Sequence, residues 1–191
     1  MEVFFMSAGV VALAEIGDKT QLLAFILAAK FRRPMLISLG ILLATIVNHA
    51  FAGALGAWLT ANVAAETMRW ILGASFVLVA LWILVPDKFE EEDAGPARFG
   101  VLGTTLIAFF LAEMGDKTQI ATVALSARFQ AYYAVVAGTT FGMMLANVPA
   151  VLLGERAAGR VPARVVRAVA AAIFGALGAA TLLGMGRSLE F

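Results

Sequence analysis

Six runs of apolar residues, parted by short polar stretches, take up nearly the whole chain, at roughly 3–29, 35–60, 67–86, 99–126, 131–154 and 165–186. At ~1.5 Å per residue each run is long enough to cross a hydrocarbon core ~30 Å thick as a helix. The runs do not alternate apolar with polar residues, which excludes a transmembrane barrel. The interruptions are compact. Lys30 to Pro34 is a basic turn, Pro86 to Pro96 an acidic linker, and Gly154 to Arg167 carries four arginines around Pro162. The pattern predicts an all-α polytopic membrane protein with six transmembrane helices.

Polar residues inside two of these runs change the picture. Glu15-Ile16-Gly17-Asp18-Lys19-Thr20-Gln21 returns as Glu113-Met114-Gly115-Asp116-Lys117-Thr118-Gln119, 98 positions later. A helix begun at Val3 carries Glu15 ~18 Å into the membrane, near its middle. Three formal charges per copy burden each segment by roughly 8–10 kcal/mol on the insertion scale. A burden carried twice with the same residues points to use.

The repeat reaches beyond the motif. Leu27-Ala28-Ala29-Lys30-Phe31 corresponds to Leu125-Ser126-Ala127-Arg128-Phe129 at the same offset, as do Gly40 to Gly138, Gly56 to Gly154 and Arg69 to Arg167. Asn48 and Asn147 correspond with one residue inserted. The chain therefore divides into a first three-helix repeat, 1–86, a linker, 87–98, and a second three-helix repeat, 99–191. An odd number of spans per unit turns the second unit upside down, the inverted-repeat plan of secondary transporters. One side of the membrane receives Lys30, Arg32, Arg33, Lys88, Arg98, Arg156, Arg160, Arg164 and Arg167, the other Arg69, Arg128 and Arg187. The positive-inside rule puts the first side, with the acidic linker, in the cytoplasm and both termini outside.

Composition narrows the chemistry. The chain is 62% hydrophobic and 14% charged, with a mean hydropathy of +0.92, which a soluble domain does not reach. A net charge of +1 gives no case for nucleic acid. Without cysteine there is no disulfide, zinc-thiolate site or catalytic thiol. Met1 to Phe5 lacks the basic start of a cleaved signal, so residues 1–28 read as a retained first helix.

In helical geometry Glu15, Asp18 and Gln21 share a face, as do Glu113, Asp116 and Gln119. Gly17 and Gly115 weaken the helix there, and a local break would free carbonyl oxygens beside the carboxylates. Carboxylate, amide, hydroxyl and carbonyl oxygens suit hard divalent ions such as calcium, magnesium and manganese. The structural alternative is a pair of ion pairs, Glu15–Lys19 and Glu113–Lys117, both i,i+4. Asn48 and Asn147 are auxiliary ligands or hydrogen-bonding contacts between helices. His49 has Val148 as its counterpart and reads as a helix contact.

These twin motifs give the chain its resemblance. Two E-x-G-D-K-T elements, one per half, resemble those of the calcium/manganese–proton antiporters of the Golgi and their bacterial manganese-exporting relatives, over nearly the whole chain. The resemblance implies a transporter, not an enzyme, that moves Mn2+ or Ca2+ against protons. It carries the cation site over to Glu15, Asp18, Glu113 and Asp116, with Thr20, Gln21, Thr118 and Gln119 following. The short chain, lacking the N-terminal extension of organellar members, fits a bacterial plasma membrane. The expected function is export of divalent cations from the cytoplasm, Mn2+ before Ca2+, in exchange for protons, with no resident cofactor. Two rivals are a cation channel, since carboxylate rings also select cations, and an intramembrane aspartyl protease built on Gly17-Asp18 and Gly115-Asp116.

Overall fold

The computed structural model describes residues 1–85, 99–153 and 163–184, all of it helix and short turns. The acidic linker and the arginines at 156, 160 and 187 lie outside the described residues. Among the described residues eight helices follow in order: α1 Glu2–Glu15, α2 Lys19–Phe31, α3 Pro34–Asn62, α4 Ala65–Ile83, α5 Gly100–Glu113, α6 Lys117–Phe129, α7 Tyr132–Leu153 and α8 Ala163–Leu182. Among them α3, α4, α7 and α8 are long and apolar enough to cross a membrane. The chain is a polytopic α-helical membrane protein.

The runs expected as continuous helices at 3–29 and 99–126 are each two helices. The motif parts α1 from α2 and α5 from α6. At 13 or 14 residues, each piece is only about 20 Å long, too short to span alone. Hydropathy over a window does not register a three-residue interruption, which is why the sequence reads as one run.

Helices α2 and α6 end alike. Arg32 and Gln130 take left-handed conformations, φ 51° and 49°, that close the last turn through N–H bonds to Ala28 O and Ser126 O at 3.0 Å each. Pro34 then opens α3, where its missing N–H costs nothing.

The two halves are interleaved. Helix α1 packs on α7 and α5 on α3, α2 on α7 and α6 on α3, and α4 lies along α8. Small residues permit this closeness. A Cβ on Gly142 would sit 2.3 Å from Ala8 O, and one on Gly56 would sit 2.3 Å from Val123 O. Two apolar cores flank the centre. Phe76, Phe174, Val79 and Leu125 build one among α4, α6 and α8; Leu23, Leu27, Ile41 and Phe109 build the other among α2, α3 and α5. The outer faces carry exposed Phe51, Leu78, Leu81, Leu145 and Leu152, a surface suited to lipid. Between the cores the polar side chains are buried.

Candidate cation site

The site is made of two helix breaks that share one geometry. Glu15 and Glu113 are the last residues of α1 and α5, while Lys19 and Lys117 are the first of α2 and α6. Ile16 (φ −63°, ψ 118°) and Met114 (φ −62°, ψ 120°) leave the helix. Gly17 and Gly115 follow in the left-handed region at φ 81° and 73°, which an L side chain rarely adopts. Asp18 and Asp116 are extended and occupy the N-cap positions of the next helices. The Asp18 N–H donates to Glu15 O at 3.0 Å, and the Asp116 N–H to Glu113 O at 3.1 Å.

Each break is held by its own glutamine. Gly17 N–H donates to Gln21 Oε1 at 2.9 Å and Gly115 N–H to Gln119 Oε1 at 2.7 Å. The far ends of these amides reach the other half: Gln21 Nε2 donates to Ala146 O at 3.1 Å, and Gln119 Nε2 to Asn48 Oδ1 at 3.4 Å. The glutamines thus brace the backbone at the break and tie it to the other repeat.

The ion pairs run between motifs. Lys117 Nζ lies 2.6 Å from Asp18 Oδ1, and Lys19 Nζ lies 3.2 Å from Asp116 Oδ1. The pairing weighed as the structural alternative, Glu15–Lys19 and Glu113–Lys117, assumed one continuous helix. Once the chain breaks between positions 15 and 19, i,i+4 no longer places two side chains on one face, and each lysine meets the opposite aspartate. The pairs are not equal. Lys117 is 2% exposed, whereas Lys19 is 27% exposed.

Glu15 and Glu113 are fully buried, and each keeps one carboxylate oxygen without a hydrogen-bond partner, Glu15 Oε2 and Glu113 Oε1. Asn147 Nδ2 donates to Glu15 Oε1 at 3.2 Å, and Thr118 Oγ1 to Glu113 Oε2 at 2.7 Å. Thr20, the counterpart of Thr118, is buried with its hydroxyl unpartnered. Of the two readings of the asparagines, Asn48 acts between helices, donating to Phe110 O at 3.1 Å, while Asn147 touches a motif carboxylate. His49 is fully buried, and neither ring nitrogen has a partner. Among the described residues, no three acidic or imidazole side chains stand close enough together to hold a metal in this arrangement.

Sequence reading passed over one symmetric pair. Ser7 and Thr105 are 98 positions apart, two helical turns before Glu15 and Glu113, and both are buried with unpartnered hydroxyls. They pack on Gly138 and Gly40, themselves 98 apart, whose added Cβ atoms would lie 3.0 Å and 2.8 Å from the Ser7 and Thr105 Cβ atoms. The constant offset was the available signal. By contrast, nothing local in the sequence marks the carbonyls of Phe110 and Ala146, which become partners only through packing.

The model of GDT1, a divalent cation/proton antiporter family, matches residues 3–91 and 101–188. A candidate manganese exporter of Vibrio cholerae serotype O1 is 47% identical over 175 residues, covering 91% of this chain and 87% of its own. A GDT1-like protein of Synechocystis is 31% identical over 183 residues, covering 86% of this chain and 88% of its own. A GDT1-like protein of Oryza sativa is 26% identical over 200 residues, covering 91% of this chain and 71% of its own. No solved structure matches the chain.

Proposed function

We propose that this chain, which belongs to the GDT1 family of divalent cation/proton antiporters, exports Mn2+ from the cytoplasm in exchange for protons, with Ca2+ as second substrate. Its setting is a bacterial plasma membrane with both termini outside. Each broken pair, α1–α2 and α5–α6, makes one crossing, so that two inverted three-helix halves, 1–86 and 99–191, meet around a shared midplane site. Glu15, Asp18, Glu113 and Asp116 supply the charge of that site, and Thr20 and Thr118 add hydroxyl oxygens. Gln21 and Gln119 hold the breaks from which these side chains project.

One observation carries the reading: each motif's aspartate is paired with the other motif's lysine, deep among apolar helices. The lysine ammonium groups stand where a cation would be attracted. Metal reaching the aspartates displaces them, and rearrangement of the two half-helix ends then opens the site to one side or the other. The four carboxylates bring −4 and the two lysines +2, so one divalent ion, or two protons, neutralises the remainder. A charged, empty site would cross a low-dielectric barrier slowly, which favours strict exchange.

Uptake of Mn2+, Ca2+ and Mg2+ into proteoliposomes, with and without an imposed pH gradient, tests this. Mn2+ flux is expected to rise with the gradient and to disappear in Asp18→Asn. Metal flux indifferent to the gradient would instead describe a channel.

A further inference from the structure

At the end of the bundle where α3 passes to α4 and α6 to α7, and where α8 finishes, lies a cavity of about 410 Å3. Among the described residues its polar lining is Thr60, Arg69, Arg128, Gln130 and Thr181, with no carboxylate. The two arginines come from different halves of the chain. Each is half-buried, with a buried Nε that has no hydrogen-bond acceptor among the described residues. The hydroxyl protons here are spent inward: Thr60 donates to Gly56 O at 3.0 Å and Ala127 O at 3.2 Å, and Thr181 to Leu177 O at 2.7 Å. Arg128 Nη1 donates to Thr181 Oγ1 at 3.0 Å, a neutral partner. Glu66, which is exposed and outside the lining, pairs with Arg69 Nη2. Among the described residues Arg128 therefore has no carboxylate partner, and the charge that they bring to the cavity is positive.

The surroundings say where this charge sits. Trp58 near the end of α3, Trp70 near the start of α4 and Tyr133 at the start of α7 are 58%, 55% and 85% exposed. Exposed tryptophan and tyrosine gather at the headgroup level of a bilayer. A forked guanidinium at that level matches the oxygens of a phosphate group.

We propose that this cavity binds a phosphate group, through Arg69 and Arg128, at the membrane interface. The group belongs to a phospholipid headgroup or to phosphate free in solution. The site lies apart from the twin motifs and is independent of which ion they carry.

The test is thermal unfolding of the purified protein in neutral detergent, titrated with short-chain phosphatidylglycerol, inorganic phosphate or a short-chain diacylglycerol without phosphate. Phosphatidylglycerol is expected to raise the midpoint and the diacylglycerol to leave it unchanged. A rise with inorganic phosphate as well assigns the binding to the phosphate alone; a rise with the lipid only assigns it to the headgroup with its chains. Arg128→Gln is expected to weaken binding roughly 10- to 100-fold, the loss of one charge-assisted hydrogen bond. Gln130→Glu sets a negative charge at the exposed lip without touching the packing, so it reports even where Arg128→Gln misfolds, and it too should weaken binding. Lys30→Gln, at the corresponding end of α2, should change nothing. No midpoint shift with either phosphate ligand, or shifts that survive both Arg128→Gln and Gln130→Glu, would overturn the proposal. No metal or pH gradient enters the measurement, so its failure leaves the transport reading untouched.

Discussion

Replacing Lys117 by Met is expected to cost far more than the same change at Lys19, although the two residues hold equivalent places in the motifs. Lys117 is 2% exposed, and its ammonium lies 2.6 Å from an Asp18 side chain that is 1% exposed. Removing one member of so buried a pair takes the close counter-ion from the other, at about 3–5 kcal/mol. Lys19 is 27% exposed and lies 3.2 Å from Asp116. Water can enter the place it vacates and solvate Asp116, so the loss there falls to about 1–2 kcal/mol. Equilibrium unfolding in mixed micelles reads the difference. A double-mutant cycle identifies the partner: Lys117→Met should couple to Asp18→Asn by about 0.5–3 kcal/mol, and less to Glu113→Gln. Lys117→Met combined with Asp18→Asn should then be more stable than Lys117→Met alone. Equal losses at the two lysines would refute the argument from burial, and stronger coupling of Lys117 to Glu113 than to Asp18 would refute the pairing between motifs and restore the pairing within them.

Four further outcomes are expected. Gly115→Ala should destabilise by about 1–2 kcal/mol and impair transport through backbone conformation alone, because φ is 73° and an added Cβ meets nothing within 4 Å; normal stability would show that the break needs no left-handed residue. Asp18→Asn and Asp116→Asn should each abolish metal flux with the protein still in the membrane, and full flux in Asp116→Asn would remove the second motif from the site. Cysteines at Glu92 and Gly159 should resist impermeant thiol reagents in intact cells while one at Ala65 reacts, with no native cysteine to interfere; labelling at Glu92 would reverse the topology. Exchange of one metal for two protons moves no net charge, so flux at fixed pH gradient should hardly depend on membrane potential, and a steep dependence would exclude that ratio.

The legible part of this protein was whatever depends on composition and on offsets along the chain. Apolar runs of membrane length and a doubled acidic motif inside them are local facts, and they gave the class, the family resemblance and the candidate residues. The 98-residue offset also located correspondences such as Gly40 with Gly138, which the structure uses to seat Thr105 and Ser7.

Other features rest on the folded backbone. Left-handed Gly17 and Gly115 end α1 and α5 on their glutamates, so Glu15 and Lys19 leave the common helix face that their spacing implies. Lys19 and Lys117 then find Asp116 and Asp18, partners nearly a hundred residues away that no local periodicity can announce. Gln21 and Gln119, read as ligands, spend their carbonyl oxygens on the glycine N–H groups that the breaks expose. The unequal burial of the two lysines has the same origin: the motifs are identical at that position, and only the packing around each one decides how much water it meets. Composition and spacing along the chain determined which groups are present and how often; the helix breaks and the interleaving of the halves decided which of them face one another.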